Sequence, residues 1–112
     1  MDKIHSDIES TPNQLGGLKF DTAKPRPDLL HFQYLMEVSE ILEYGARKYS
    51  ADNWKKVEPY KYIAAMFRHL FAWAGGEMND KDTGKSHLAH ATCCIMFLYH
   101  FDKEKEVATK VD

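Results

Sequence analysis

The segment Cys93–Tyr99 (CCIMFLY) contains no charged side chain and lies in the middle of a predicted helix. Ser86 is a suitable N-cap for this helix, which we expect to end near Lys103. A helix that is apolar on every side has to be covered by neighbouring elements on several sides. Because only two more long helices are predicted, the chain alone can cover it only in part. We therefore predict an all-α, compact bundle of three main helices that is completed by oligomerisation, as a homodimer or homotetramer.

The two earlier helices are predicted from apolar spacing and from local start and stop signals. Asp28 is a suitable cap for the first helix, which ends near Tyr49. Its apolar positions recur at helical spacing: Leu35, Val38, Leu42, Ala46 and Tyr49. The second helix is predicted from Pro59 to Ala74, where Gly75-Gly76 ends it. Between them, residues 50–59 are predicted to form a loop that Asn53-Trp54 anchors.

The two ends of the chain differ from its middle in composition. The first residues are polar and without a period, and Pro25 and Pro27 keep the following segment extended. The last residues are highly charged. We predict one domain over residues 1–112, with a mobile arm at 1–17, a helical region at 18–103 and a frayed charged tail at 104–112.

Charge and hydropathy exclude several classes of partner. The net charge of -2, from 15 basic and 17 acidic residues, gives no field that would hold the chain on nucleic acid or on an anionic membrane. No apolar run is long enough to span a membrane, and the N-terminus lacks the apolar region of a signal peptide. The adjacent cysteines, Cys93 and Cys94, point about 100° apart on a helix and are predicted to be reduced and buried. We expect a cytoplasmic protein without stable nucleic-acid binding.

Two pairs of acidic residues have the spacing that places both carboxylates on one face of a helix. They are Glu37-x-x-Glu40 in the first helix and Glu77-x-x-Asp80 after the second. Such pairs can hold a hard cation such as Mg²⁺, with waters and substrate phosphates completing the coordination. Each pair alone is weak evidence, because acidic residues are also common on solvated helices and in polar loops. They form one site only if the two segments converge.

The third helix carries His87-x-x-His90, with both imidazoles on the same face as Cys94. The pair can be a metal site, or it can be two histidines at the edge of the core that hydrogen-bond to neighbouring acids. A closed zinc site needs four ligands, and these residues supply three at most. A histidine-aspartate metallophosphohydrolase site is excluded, because the chain contains no adjacent His-Asp pair.

Cations and aromatic rings outside these motifs are candidates for substrate contacts. Lys19, Lys24 and Arg26 lie on the extended segment, which is either a solvated connector or an arm that supplies cations to the phosphates of a ligand. His69 and Trp73 lie on the second helix. They either pack at the edge of the core or line a nucleotide pocket in which a ring stacks on a base.

Three blocks occur in an order that is more specific than any single motif. They are GLKFDTAKPRPDLL, EVSEILEYGARKYSADNW and FRHLFAWAGGEMNDKDTGKSHLAHATCCIMFLYHF, and together they reach from Gly17 to Phe101. In this order they resemble the phage-associated dATP/dGTP diphosphohydrolases, compact relatives of the MazG-like all-α nucleoside triphosphate pyrophosphohydrolases. The resemblance implies hydrolysis of dATP or dGTP to the monophosphate and pyrophosphate, by attack of water on the α-phosphorus.

The resemblance also implies two or more Mg²⁺ or Mn²⁺ ions and a set of ligands. Glu37 and Glu40 match the first acidic motif of MazG-like enzymes, as metal ligands and catalytic groups, with Glu40 as the acceptor of the water's proton. The second motif can be read in two registers. Glu77 and Asp80 match it by residue type and are our first choice. In the alternative register His87 and His90 take their place, and imidazole suits Mn²⁺, Co²⁺ or Zn²⁺ better than Mg²⁺.

The substrate contacts that the resemblance implies fall into two groups. The cations that would neutralise the phosphates are Lys19, Lys24, Arg26, Arg47 and Lys48. Trp54 or Trp73 would stack on the purine. Two other functions remain open at this point: a non-catalytic helical interaction module that acts through the apolar third helix, and a nucleic-acid contact through the segment KFDTAKPRP.

Overall fold

The computed structural model describes residues 11–12, 15–20 and 22–111. By its contacts the chain divides into two compact units, Met1–Leu30 and His31–Asp112. Most of the predicted arm at residues 1–17 therefore lies outside the described residues. In the first unit, strand β1 (Thr11–Pro12) pairs antiparallel with β2 (Leu18–Lys19). The sequence predicts no strand, because two-residue strands are too short to show alternation.

The predicted cap of the first helix is wrong. Residues Pro27–Leu29 form a short 3₁₀ helix, and helix α1 extends over Phe32–Lys48. The Asp28 carboxylate accepts two hydrogen bonds from the Arg26 guanidinium, at 3.1 Å from Nε and 2.7 Å from Nη2. The cap of α1 is His31, whose Nδ1 accepts from the backbone N–H of Tyr34 at 3.1 Å.

The buried stripe of α1 is displaced from the predicted one. Val38 and Ile41 are buried and Leu42 packs against them, whereas Leu35 and Tyr49 are exposed. Tyr49 lies just beyond the last residue of the helix, where the backbone has left helical geometry. Ile41, which the predicted stripe does not include, is buried because positions 38, 41 and 42 lie within about 100° of one another on a helix.

Helix α2 extends over Pro59–Ala74, as predicted. It ends in a pair of hydrogen bonds from Gly76 N–H to Trp73 O and from Glu77 N–H to Ala72 O, both 3.0 Å. Gly76 has a φ of +105°, which a residue with a side chain rarely adopts. The two bonds are those of a Schellman motif, so Gly75-Gly76 ends the helix in the way the sequence predicts.

Helix α3 extends over His87–Val111, and the Ser86 hydroxyl caps it by accepting from Leu88 N–H at 3.0 Å. The helix passes the predicted end at Lys103, so the segment predicted to be frayed is helical to Val111. Strong helix formers support this extension, as do the contact of His100 Nε2 with Glu104 Oε2 at 3.2 Å and the ion pair of Lys103 with Glu106 at 3.5 Å.

Helix α3 is the element on which both α1 and α2 pack. Val38 and Ile41 of α1 meet Ala89 and Cys93 of α3 in a small core. The predicted all-α class with three main helices is confirmed. Helix α3 is only partly covered by α1 and α2, because Tyr99 in its apolar stretch stays 63% exposed. Within the described residues, the helices contain no segment with the length and hydropathy of a membrane span.

Candidate functional site

The segment between α2 and α3 folds into a closed turn. Asp80 N–H donates to Lys85 O at 2.7 Å, and Gly84 N–H donates to Asp80 O at 2.8 Å. Gly84 has a φ of +72°, the left-handed conformation that allows the chain to reverse here. His87 N–H then donates to Met78 O at 3.0 Å, so the turn is fixed to the start of α3.

The turn is organised around the carboxylate of Asp80. Its Oδ2 accepts from the backbone N–H groups of Asp82 and Thr83 at 3.1 and 3.0 Å, and from the Thr83 hydroxyl at 3.2 Å. Burial acts to raise the pKa of Asp80. These hydrogen bonds and the nearby His90 outweigh burial, so that the pKa is lowered. Asp80 is therefore a fixed anion at neutral pH.

The acidic pair of α1 meets this turn. Glu40 Oε1 lies 2.8 Å from Lys85 Nζ, and Glu37 Oε2 accepts from the backbone N–H of Ser86. Both side chains of the Glu40–Lys85 pair are partly exposed, so the pair contributes little to stability. Its importance is positional. The two segments that carry the acidic motifs converge, as a shared site requires.

A chain of side-chain hydrogen bonds runs from Glu77 through His87 to His69. His87 is only 4% exposed; its Nε2 lies 2.7 Å from Glu77 Oε1 and its Nδ1 lies 2.9 Å from His69 Nδ1. A carboxylate can only accept, so Nε2 of His87 carries the proton. In the neutral ring, Nδ1 of His87 then presents a lone pair towards His69. The hydrogen bond to His87 lowers the pKa of Glu77 in turn.

Two further contacts join His90 to this group. Its ring stacks on His69 with centroids 4.5 Å apart, and its Nε2 lies 2.7 Å from Thr83 Oγ1 and 4.0 Å from Asp80 Oδ2. Burial, followed by the neighbouring imidazoles, lowers the pKa of His69, and burial lowers that of His90. Both rings are therefore neutral at pH 7, which is the form that binds metal ions.

Three of these side chains can act together as metal ligands. One donor atom each from His69, Asp80 and His87 lies within 4.8 Å of the others. Two imidazoles with one carboxylate suit Mn²⁺, Co²⁺ or Zn²⁺ better than Mg²⁺. Glu77 lies behind His87 and fixes its tautomer, as carboxylates often do for ligating histidines. The structure thus places members of both predicted registers side by side, Asp80 from one and His87 from the other.

A cavity of about 570 Å³ adjoins the histidines. Its walls come from the C-terminal half of α1, a short 3₁₀ helix at Asn53–Lys56, and the facing sides of α2 and α3. Ile41, Gly45, Trp54, Tyr62 and Phe97 give it an apolar and aromatic lining, and His69 and His90 also border it. A smaller cleft of about 260 Å³ is bordered by the predicted residues Glu40 and Arg47 and by Thr83 and Lys85 of the turn.

The predicted site residues divide into three sets. One set forms the hydrogen-bonded group at the turn: Glu37, Glu40, His69, Glu77, Asp80, His87 and His90. A second set borders the cavity or the cleft: Arg47, Lys48 and Trp54. The third set consists of the remaining predicted residues. Trp73 is 47% exposed, and Lys19, Lys24 and Arg26 belong to the first unit, in which Arg26 pairs with Asp28.

Sequence reasoning missed several residues of the site. Lys85 and Thr83 belong to the turn DTGKS, and Gly45 and Asn53 border the cavity. Gly84, shortly before the helix cap Ser86, marks DTGKS as a turn. No rule of residue spacing predicts that this turn contacts α1. Lys85 and Glu40 are 45 residues apart in sequence, and their contact depends on the tertiary fold.

The chain also resembles known proteins. Residues 15–110 match the family model described as dATP/dGTP diphosphohydrolase, N-terminal. A protein of Salmonella phage PMBT28 that is named dATP/dGTP diphosphohydrolase is 31% identical over 83 residues. Those residues cover 74% of this chain and 29% of the phage protein, so the chain spans less than a third of that relative's length. No solved structure matches the chain.

Proposed function

The chain belongs to the family of dATP/dGTP diphosphohydrolase N-terminal domains, as its sequence predicts, and we propose that it hydrolyses dATP or dGTP. The products are the deoxynucleoside monophosphate and pyrophosphate. The observation that carries the proposal is the convergence of the α1 carboxylates with the turn that holds Asp80 and the histidines. The substrate class comes from the name of the phage relative. The relation to MazG-like enzymes and the cytoplasmic location remain predictions.

The proposed reaction is displacement at the α-phosphorus. The oxygen of water bonds to this phosphorus, the bond from phosphorus to the oxygen bridging the α- and β-phosphates breaks, and pyrophosphate leaves with that oxygen. Glu40 accepts a proton from the attacking water. Glu37 lies one helical turn away and is oriented by the Ser86 N–H. We assign it to the same catalytic group.

The close donor atoms of His69, Asp80 and His87 suit a divalent ion. We propose that Glu37 and Glu40 hold Mg²⁺ or Mn²⁺ together with Asp80 and His87, with His69 as a further donor and two or more ions per site. When bound, such ions neutralise the phosphates and lower the pKa of water. In this arrangement Glu77 supports His87, and the lone pair on His87 Nδ1 would bind the ion in place of its hydrogen bond with His69 Nδ1.

Nearby cations complement the triphosphate. Lys85 and Arg47 border the cleft that contains Glu40, and Lys48 borders the larger cavity. We propose that these three cations contact phosphate oxygens. Lys85 then exchanges its partly exposed pairing with Glu40 for a pairing with the substrate. The corresponding roles of Lys19, Lys24 and Arg26 remain predictions.

The second candidate function is a non-catalytic interaction module that acts through α3. The specific observation in its favour is the apolar surface of that helix, on which Ile95, Met96 and Tyr99 are exposed. In the enzymatic proposal the same surface is covered by a second copy of the chain, in a homodimer or homotetramer. The enzymatic function requires hydrolysis with at least one divalent ion, whereas the interaction module hydrolyses no nucleotide with any divalent ion.

Hydrolysis in water labelled with ¹⁸O tests the proposal. With dATP or dGTP and Mg²⁺ or Mn²⁺, we expect the label in the monophosphate and none in pyrophosphate. Glu37→Gln is expected to abolish turnover while the circular dichroism spectrum is unchanged, and Glu104→Gln, on α3, serves as the control. Release of orthophosphate or intact triphosphate would contradict the assigned bond. Absence of hydrolysis with every divalent ion would favour the interaction module.

A further inference from the structure

Gly45 occupies an interior position of α1 that neither its backbone angles nor the described residues around it reserve for glycine. Glycine in a helix is less favourable than alanine, because its backbone loses more freedom on folding. Its φ is not positive, and a Cβ built on Gly45 would meet no atom within 4 Å. Neither backbone conformation nor packing among the described residues therefore requires it. What Gly45 faces is the open space of the cavity of about 570 Å³.

The walls of that cavity are aromatic and fixed in place. Trp54 stacks on Phe97 with centroids 4.4 Å apart and an interplanar angle of 17°. The Tyr62 hydroxyl donates to the carbonyl oxygen of Trp54 at 2.9 Å. The volume lies within the range of about 300–1,000 Å³ that is typical of sites for small molecules. Rigid aromatic walls of this kind suit a flat, heteroaromatic ring.

Polar groups lie at the border of the cavity. Asn53 supplies a carboxamide, which both donates and accepts hydrogen bonds, as the edge of a nucleobase does. His69 and His90 border the same cavity and also belong to the donor group at the turn. One continuous site therefore offers an aromatic space for a base beside donors for metal ions and phosphates.

We propose that this cavity binds the nucleoside part of the triphosphate, and that Gly45 determines what fits there. The base lies in the space that a side chain at position 45 would fill, and the Asn53 carboxamide hydrogen-bonds to its edge. The inference rests on the proposed function, because the phosphates of the same molecule reach the donor group at the turn.

Substitution of Gly45 tests the pocket by steady-state kinetics. Gly45→Leu is expected to raise KM for dATP and dGTP about tenfold or more, because the new side chain overlaps the base. The inhibition constant of inorganic tripolyphosphate, which has no base, is expected to stay unchanged. Gln33→Leu adds the same side chain to α1 outside the cavity lining and serves as the control. The KM of Gly45→Ala shows whether a methyl group, which meets no neighbour, also raises KM. Unchanged KM in a folded Gly45→Leu protein would overturn the proposal.

A binding measurement separates this inference from the proposed function. Titration with dGMP is expected to shift the NMR signal of the Trp54 indole N–H and to leave that of Trp73, which does not border the cavity, in place. This result would support the pocket even if the protein released no pyrophosphate. Hydrolysis of dGTP with an unperturbed Trp54 signal would overturn the pocket alone. A change in sedimentation of Gly45→Leu at unchanged KM would assign the cavity to a second copy of the chain and would also overturn it.

Discussion

At the scale of single residues, the site depends on the tautomer of His87. The carboxylate of Glu77 accepts from Nε2, which leaves the lone pair on Nδ1. His87 is buried, so its ring cannot turn to solvent to find other partners. A structural role alone would require only that these bonds stabilise the fold. A role in metal binding requires in addition that the affinity for the ion depends on Glu77.

Glu77→Gln is expected to weaken Mn²⁺ binding by about 10–100-fold, the usual effect of losing the carboxylate behind a ligating histidine. The amide can still accept from His87 through its oxygen, but it is a weaker acceptor and can also donate. Free Mn²⁺ measured by electron paramagnetic resonance gives the affinity, and Glu104→Gln is the matched control. Equal affinity in the Glu77→Gln variant would show that the pair with His87 is only structural.

The adjacent thiols of Cys93 and Cys94 behave differently, because burial disfavours their charged form. Burial raises the pKa of Cys93 to about 12 and that of Cys94 to about 11. Both pKa values lie above the value of about 8.5 in an unfolded chain, so the fold favours the neutral thiols. Their contribution to stability is complete below pH 8.5 and is lost as the pH rises towards 11–12.

The melting temperature is therefore expected to fall between about pH 8 and pH 10.5, and to fall less steeply in Cys93→Ala than in the wild type. At about pH 8 the folded protein is expected to resist a thiol-specific reagent, whereas both cysteines react in urea. Rapid labelling of the folded protein, or parallel pH profiles of the two proteins, would contradict the burial of Cys93.

The separation in sequence between contacting residues also limits how much of the site can be predicted from the sequence. The acidic pairs were identified because both members lie within one helical turn or one loop. The hydrogen bond between His69 and His87 joins residues 18 positions apart, and that between Lys85 and Glu40 joins residues 45 apart. Such contacts follow from how helices pack, which apolar spacing does not determine at the precision of a hydrogen bond.

At the scale of elements, local signals decided which boundaries were predicted correctly. Helix α2 begins at Pro59 and ends before Gly75-Gly76, and both signals act through the backbone of the residue itself. The start of α1 was predicted wrongly because Asp28 pairs with Arg26 and His31 serves as the cap. The end of α3 was predicted too early, because the charges that suggested a frayed tail belong to good helix formers.

Two glycine-to-alanine substitutions are expected to change stability in opposite directions. Gly76→Ala places a side chain at a φ of +105° and is expected to cost about 1–2 kcal/mol in the free energy of unfolding. Gly45→Ala lies in a helix with open space around its Cβ and is expected to add about 0.5–1 kcal/mol. Urea unfolding of the two variants and the wild type measures both effects. Shifts of the same sign would contradict the assigned backbone roles.

At the scale of the whole molecule, the apolar surface exceeds what one copy of the chain covers. Phe71 on α2 is 70% exposed, and Ile95 and Tyr99 on α3 are also exposed. The sequence predicted incomplete covering from the apolar middle of the third helix. It could not predict which rings remain outside, because that depends on the angles at which α1 and α2 cross α3.

Sedimentation of the full chain is expected to show a homodimer or homotetramer. Ile95→Glu is expected to shift the equilibrium towards the monomer, because a carboxylate would be buried without a partner at the proposed interface. Lys103→Glu changes the charge of the same helix outside its apolar stretch and is the control. A monomer in the wild type, with the apolar surface bound by another protein instead, would favour the interaction module.

The carboxylates of α1 and the turn before α3 are proposed to form one site for metal ions and nucleotide. The most direct measurement is an anomalous scattering map of crystals grown with Mn²⁺ and a non-hydrolysable dGTP analogue. We predict manganese peaks that contact Glu37 or Glu40 and also Asp80 or His87, with the phosphates beside them and the base in the cavity next to Gly45. Peaks that contact neither Glu37 nor Glu40, with the analogue bound elsewhere, would contradict a site shared by the α1 carboxylates and the turn.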